Sequence, residues 1–138
     1  MNISESNTYG IGDASYRAAG GYEGITRLVD CFYHYMDTDL KAHKIRSMHA
    51  DSLAPSIDKL ASFLSGWMGG PRRFNEKYGS IHIPKFHAAF PIGEQEAADW
   101  LHCMGLALDD QPYADDFKTY LKQQFKVPAQ RVVAMNTF

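Results

Sequence analysis

The chain has no apolar run approaching the length of a membrane span, and Met1-Asn2-Ile3-Ser4-Glu5-Ser6-Asn7 lacks the basic and apolar regions of a secretory leader. A cytoplasmic location is the resulting expectation. Charge of one sign is scarce as well. Fourteen basic and 16 acidic residues leave a net charge of −2, which argues against broad electrostatic capture of nucleic acid or of an anionic membrane surface. Only two cysteines are present, Cys31 and Cys103, each inside an apolar helical pattern and neither in a Cys-x-x-Cys pair. They are expected to be buried free thiols that behave as small hydrophobes. No Ser-His-Asp order, phosphate-binding glycine loop, pair of catalytic carboxylates, or flavin or nicotinamide motif stands out. Internal repeats, low-complexity tracts and sustained strand alternation are missing too.

What is there is helical. With 138 residues and 45% hydrophobic content, the chain is expected to form one domain that buries its core without staples. The polar, glycine-containing start predicts a loose extension over 1–19, with the domain proper over 20–138. Ile25, Leu28, Val29, Phe32, Tyr33 and Met36 recur at three- and four-residue steps, and so do Leu53, Ile57, Leu60, Ala61, Leu64, Trp67 and Met68. Ser52 or Asp51 is the expected cap of that second helix, and Gly69-Gly70-Pro71 its stop. Ala97, Leu101, Met104 and Leu108 mark a third stripe, with Trp100 on an adjoining part of the surface. Phe117, Tyr120, Leu121 and Phe125 mark a fourth, after which Pro128 is expected to begin a brief tail helix. The predicted long helices are 22–37, 53–68, 94–109 and 114–126, an all-α architecture.

A short helical piece carries His87 between apolar neighbours, Phe86 and Ala88-Ala89-Phe90, before Pro91. A buried imidazole needs a partner, since an unpaired buried nitrogen costs about 1–3 kcal/mol. On the residue pattern alone a core histidine satisfied by backbone groups is the better reading. A metal or haem iron is the alternative. His82 and His87 are five apart with no carboxylate or thiolate beside them, which argues against zinc.

Four pieces in order carry a family resemblance: Phe32-Tyr33, then Phe63-Leu64-Ser65-Gly66-Trp67-Met68-Gly69-Gly70-Pro71, then His87-Ala88-Ala89-Phe90-Pro91-Ile92-Gly93, then Ala98-Asp99-Trp100-Leu101-His102-Cys103-Met104. Over roughly residues 20 to 126 the chain resembles the group II truncated haemoglobins. The resemblance implies a two-over-two helical sandwich around haem b. There is no Cys-x-x-Cys-His, so the haem would be held without a covalent link. His87 matches the proximal iron ligand, with its second ring nitrogen oriented by a carbonyl or water. Tyr33 and Trp100 match the distal hydrogen-bond donors, which would stabilise partial negative charge on a bound ligand. His49 matches a position able to orient the Tyr33 hydroxyl; an exposed loop histidine is the alternative there. Either Tyr33 or His49 is a candidate sixth ligand of ferric iron. Ser56 and Leu60 match the distal wall, Ser56 being small enough to leave an access route. Phe63, Leu64 and Phe90 read as haem contacts or core. Lys59, Arg72 and Arg73 are candidates for the propionates, with solvated surface charge as the alternative for each. Phe74 stands where relatives often carry a tyrosine that contacts a propionate, so Tyr78 or an arginine would replace that contact.

The activity so implied is binding of dioxygen, carbon monoxide, nitric oxide or peroxide, with peroxidase-like or nitric-oxide-scavenging turnover driven by a reductase outside this chain. A haem-based sensor or ligand store is the alternative. Its output would come from a partner, since 138 residues leave no room for an output domain. A non-haem helical interaction module is the remaining class.

Overall fold

The computed structural model describes residues 9–79 and 93–136, and no strand occurs among them. The helices are α1 (Ala14–Ala18), α2 (Gly21–Thr38), α3 (His43–Ser47), α4 (Ala54–Trp67), α5 (Arg73–Tyr78), α6 (Glu94–Asp109) and α7 (Asp115–Asn136), with a 3-10 turn at Leu40–Ala42 before α3. None is long and apolar enough to cross a membrane.

The α2 stripe drives the assembly. Ile25, Leu28, Val29, Phe32 and Met36 are buried, and they pack α2 against both α4 and α6. Helix α6 in turn packs on α7 through Met104, Ala107 and Leu108 against Phe117, Leu121 and Phe125, all buried in one core. The result is one helix pair, α2 with α4, laid on a second, α6 with α7. At about 25 cal/mol per Å² of apolar surface, each fully buried Leu, Ile or Phe in this core is worth about 1.5–3 kcal/mol.

Three expectations differ from the structure. Residues 9–19 are not loose. Tyr9 rests 4.9 Å from the Phe117 ring, its hydroxyl donates to Asp116, and the Tyr16 amide donates to the Met68 carbonyl at 3.0 Å. Those partners lie more than 50 residues away, where local periodicity cannot register them. Leu53, rather than Ser52 or Asp51, is the residue flanking α4, with no side-chain cap; Ser52 Oγ accepts only a long 3.4 Å bond from the Ala54 amide. Pro128 does not start a separate helix. Helix α7 runs through it, although proline there removes one ladder bond and crowds the Gln124 carbonyl. Val133 beyond it is buried, and that packing supports the continuation.

Entry into α6 is held by Glu96, which accepts the Gly93 amide at 2.7 Å and Lys44 Nζ at 3.0 Å. The amide first, then the lysine, holds this carboxyl below the usual glutamate range. A lowered folded pKa means that the stabilisation is complete above the unfolded value of about 4.3 and disappears as pH falls through the folded one. Glu96→Gln is therefore expected to be less stable than wild type at neutral pH, with the gap closing by about pH 3. Urea unfolding at the two pH values checks this, and a gap that does not narrow rejects it.

Candidate functional site

Tyr33 follows Phe32 on α2, and the helical step turns its ring toward the segment after α3. It is 6% exposed. Burial alone pushes its phenol pKa well up, so it remains a neutral O–H donor across physiological pH. His49 stands edge-to-face against it, ring centroids 5.8 Å apart. The His49 ring is itself held, because Nδ1 lies 2.8 Å from the Ile45 carbonyl. In the neutral ring that bond requires the proton on Nδ1 and leaves Nε2 an acceptor. On the other side Phe32 lies 4.9 Å from the Tyr33 ring and 5.0 Å from Trp100 on α6. Three sequence candidates, Tyr33, His49 and Trp100, are thus brought around one buried phenylalanine and its neighbour. Among the described residues, neither the Tyr33 phenol nor the Trp100 indole N–H has a hydrogen-bond partner.

Helix α4 supplies a wall. Leu53, Ile57, Leu60 and Phe63 recur at three- and four-residue steps and are half-buried, packed by one edge against the core. Ser56 beside them is half-buried as well, whereas Leu64 is fully enclosed and belongs to the core. An apolar stripe left partly uncovered, next to a mostly buried tyrosine whose O–H donates to no described residue, fits a flat apolar group carrying a small polar ligand. Haem is such a group, so the distal residues present fit it. His87 and Phe90, the expected proximal ligand and its neighbour, lie outside the described residues.

The propionate candidates separate into two places. Lys59 Nζ sits 5.7 Å from the centre of the Tyr78 ring, while the Tyr78 hydroxyl donates to Asp58 and Lys77 pairs with the same carboxylate at 2.9 Å. The Tyr78 bond, then the lysine, lowers the Asp58 pKa. At the other end of α5, Arg73 lays its guanidinium 3.8 Å over the Tyr22 ring with its Nε buried and unpartnered. Arg72 is exposed, and Phe74 is buried with its ring 4.9 Å from Tyr78. Asp58 escaped notice in the sequence, because a lone carboxylate on a helix gives no sign of what a segment twenty residues away will bring to it. Phe125, which packs 5.7 Å from Trp100, read only as part of the α7 stripe.

The bacterial-like globin family model matches residues 14–132. The chain is 30% identical over 132 residues to group 2 truncated hemoglobin 3-1 of Lotus japonicus, covering 94% of this chain and 77% of that one. The cold-adapted truncated hemoglobin from the Antarctic marine bacterium Pseudoalteromonas haloplanktis TAC125 superposes with a TM-score of 0.83 at 32% identity, over 86% of this chain and 96% of that one. The truncated oxygen-avid haemoglobin from Bacillus subtilis superposes with a TM-score of 0.79 at 27% identity, over 86% and 98%.

Proposed function

Because this chain belongs to the bacterial-like globin family, as a group II truncated haemoglobin with the two-over-two fold, we propose that it binds haem b non-covalently along the α4 stripe and holds dioxygen tightly enough for redox turnover. Haem-based binding of a small diatomic ligand is the activity its family carries. When bound, the haem supplies an iron site that accepts a small ligand and exchanges electrons with it. The chain's own residues do the rest. Tyr33 and Trp100 present an O–H and an N–H that no described residue uses, and each is available to a polar ligand. Donors that no described residue occupies are available to a bound ligand, so the pocket favours ligands that accept. His49, fixed through Ile45, presents the Tyr33 ring with a steady neighbour and so limits where the hydroxyl can swing. His87 is the residue we assign to the iron. Lys59, Arg72, Arg73 and Tyr78 are the candidates for the acidic edge of the haem.

The mostly buried Tyr33 phenol, unpartnered among the described residues, is the observation that carries this reading. Donors directed at a ligand oxygen also help to weaken an O–O bond, so the redox activity proposed is peroxidase-like reduction of peroxide with electrons from an external reductant. Oxidation of nitric oxide to nitrate by dioxygen is the second reading. It is favoured by the small, half-buried Ser56, which leaves room for a second diatomic molecule to enter. The placement proposed is cytoplasmic, beside such a reductant.

Absorption spectra of the purified protein, ferric and then reduced, with and without carbon monoxide, test the reading. An intense Soret band that moves on reduction and again with carbon monoxide is expected. Its absence even after haem is added rejects the proposal. The ferric bands across pH report whether Tyr33 or His49 closes the sixth position, and a purely water-ligated spectrum removes that role from both.

A further inference from the structure

Trp67 has no part in the site as described, yet two lines of aromatic rings join it to that site. On α4 its ring stacks 6.3 Å from Phe63, a member of the proposed haem-facing stripe. Across the core it lies 4.8 Å from Phe125, which lies 5.7 Å from Trp100. Beyond Trp67 is a separate pocket of about 200 Å³, lined by Gly10, Ser15, Trp67, Tyr120, Leu121 and Gln124. Its volume suits a molecule well below drug size. The Tyr120 hydroxyl and the Gln124 amide have no hydrogen-bond partner among the described residues. Ser15 is already engaged by the Gly10 amide at 2.9 Å. The pocket therefore offers an indole, a phenol and a carboxamide that no described residue engages, a set suited to a small ring that carries a hydroxyl.

We infer that this pocket is an electron-entry site for small phenolic reductants, with Trp67 as the residue that passes their electrons inward. Tunnelling decays steeply with distance, so rings in contact form the favoured route from Trp67 through Phe63, or through Phe125 to Trp100. The inference rests on the haem reading above and on peroxide as the oxidant. The chemistry balances. One hydrogen peroxide takes up two electrons and two protons, its O–O bond breaks, and it leaves as two waters. Two phenol molecules each give up one electron and the hydroxyl proton, and leave as phenoxyl radicals. Between those events the Trp67 indole is oxidised by one electron, releases its N–H proton, and regains both from the phenol. Without a phenol, the oxidised indole has no reductant and is trapped by oxygenation.

The test uses haem-loaded protein treated with hydrogen peroxide, with and without hydroquinone, followed by peptide mass spectrometry. Trp67 is expected to be the principal oxygenated aromatic residue, protected when hydroquinone is present. In Trp67→Phe, peroxide-driven oxidation of hydroquinone is expected to fall roughly tenfold, with the Soret band and the carbon monoxide spectrum as in wild type. Gln124→Leu is expected to raise KM for hydroquinone with kcat held, which a purely packing role would not produce. Wild-type hydroquinone turnover in Trp67→Phe overturns the inference, and so does a peptide map in which Trp67 stays unmodified. A protein with no Soret band fails earlier, at the haem reading, and the two failures are told apart by that spectrum.

Discussion

Tyr33→Phe is expected to speed dioxygen dissociation roughly ten- to a hundredfold, because a hydrogen bond to a partly charged acceptor is worth about 1.5–3 kcal/mol. The geometry argues for the upper part of that range. Tyr33 is 6% exposed, so water competes poorly for its hydroxyl. No described residue competes either. Phenylalanine keeps the ring and its edge-on contacts with Phe32 and His49, so the change removes one oxygen and little packing. Replacing Trp100 by phenylalanine as well should add to the effect by less than the sum of the two, since both donors serve one ligand. Stopped-flow displacement of dioxygen by carbon monoxide measures it. An unchanged rate in the double variant would mean that neither donor reaches the ligand.

The largest expected effect on stability lies elsewhere. Gly69→Ala is predicted to cost about 2–5 kcal/mol, the sum of a left-handed backbone and an unrelieved clash. Gly69 has φ +90°, and a Cβ there would sit 1.9 Å from the Gly12 carbonyl oxygen and 3.1 Å from the Asp13 Cα. Both obstacles are backbone, and that backbone is tied down by the Tyr16–Met68 hydrogen bond, so neither side can move aside. Gly12→Ala is the matched control. Its φ is +55° with open space around the added carbon, so only the conformational part, about 1–2 kcal/mol, applies. Urea unfolding of the two variants should separate them clearly. Equal losses would show that the crossing of residues 12 and 69 is slack.

The helices were legible because burial repeats along them. Ile25, Leu28, Val29, Phe32 and Met36 describe α2 from spacing alone, and the four predicted long helices have close counterparts in α2, α4, α6 and α7. Gly69-Gly70-Pro71 ended α4 where expected. Tyr33, His49 and Trp100 were found through the family resemblance; the structure sets Tyr33 and Trp100 against Phe32, and His49 against Tyr33. What could not be read were matters settled between distant segments. Asp58 engages the Tyr78 hydroxyl, Tyr22 takes the face of Arg73, and residues 9–19 join the core through Phe117 and Met68. Each choice has several chemically equivalent partners along the chain, and only the packing of α4, α5 and α7 selects one.

The solitary phenol of Tyr33 also bears on how far this protein can be optimised. Its hydroxyl makes no hydrogen bond to any described residue, so it adds nothing to the hold of the folded chain that a phenylalanine ring would not. Its retention places the chain on the side of trade-offs that keep one atom ready for a visitor. Efforts to harden the fold should therefore work at a distance from α2, because the most tempting position to repair is the one proposed to hold the guest.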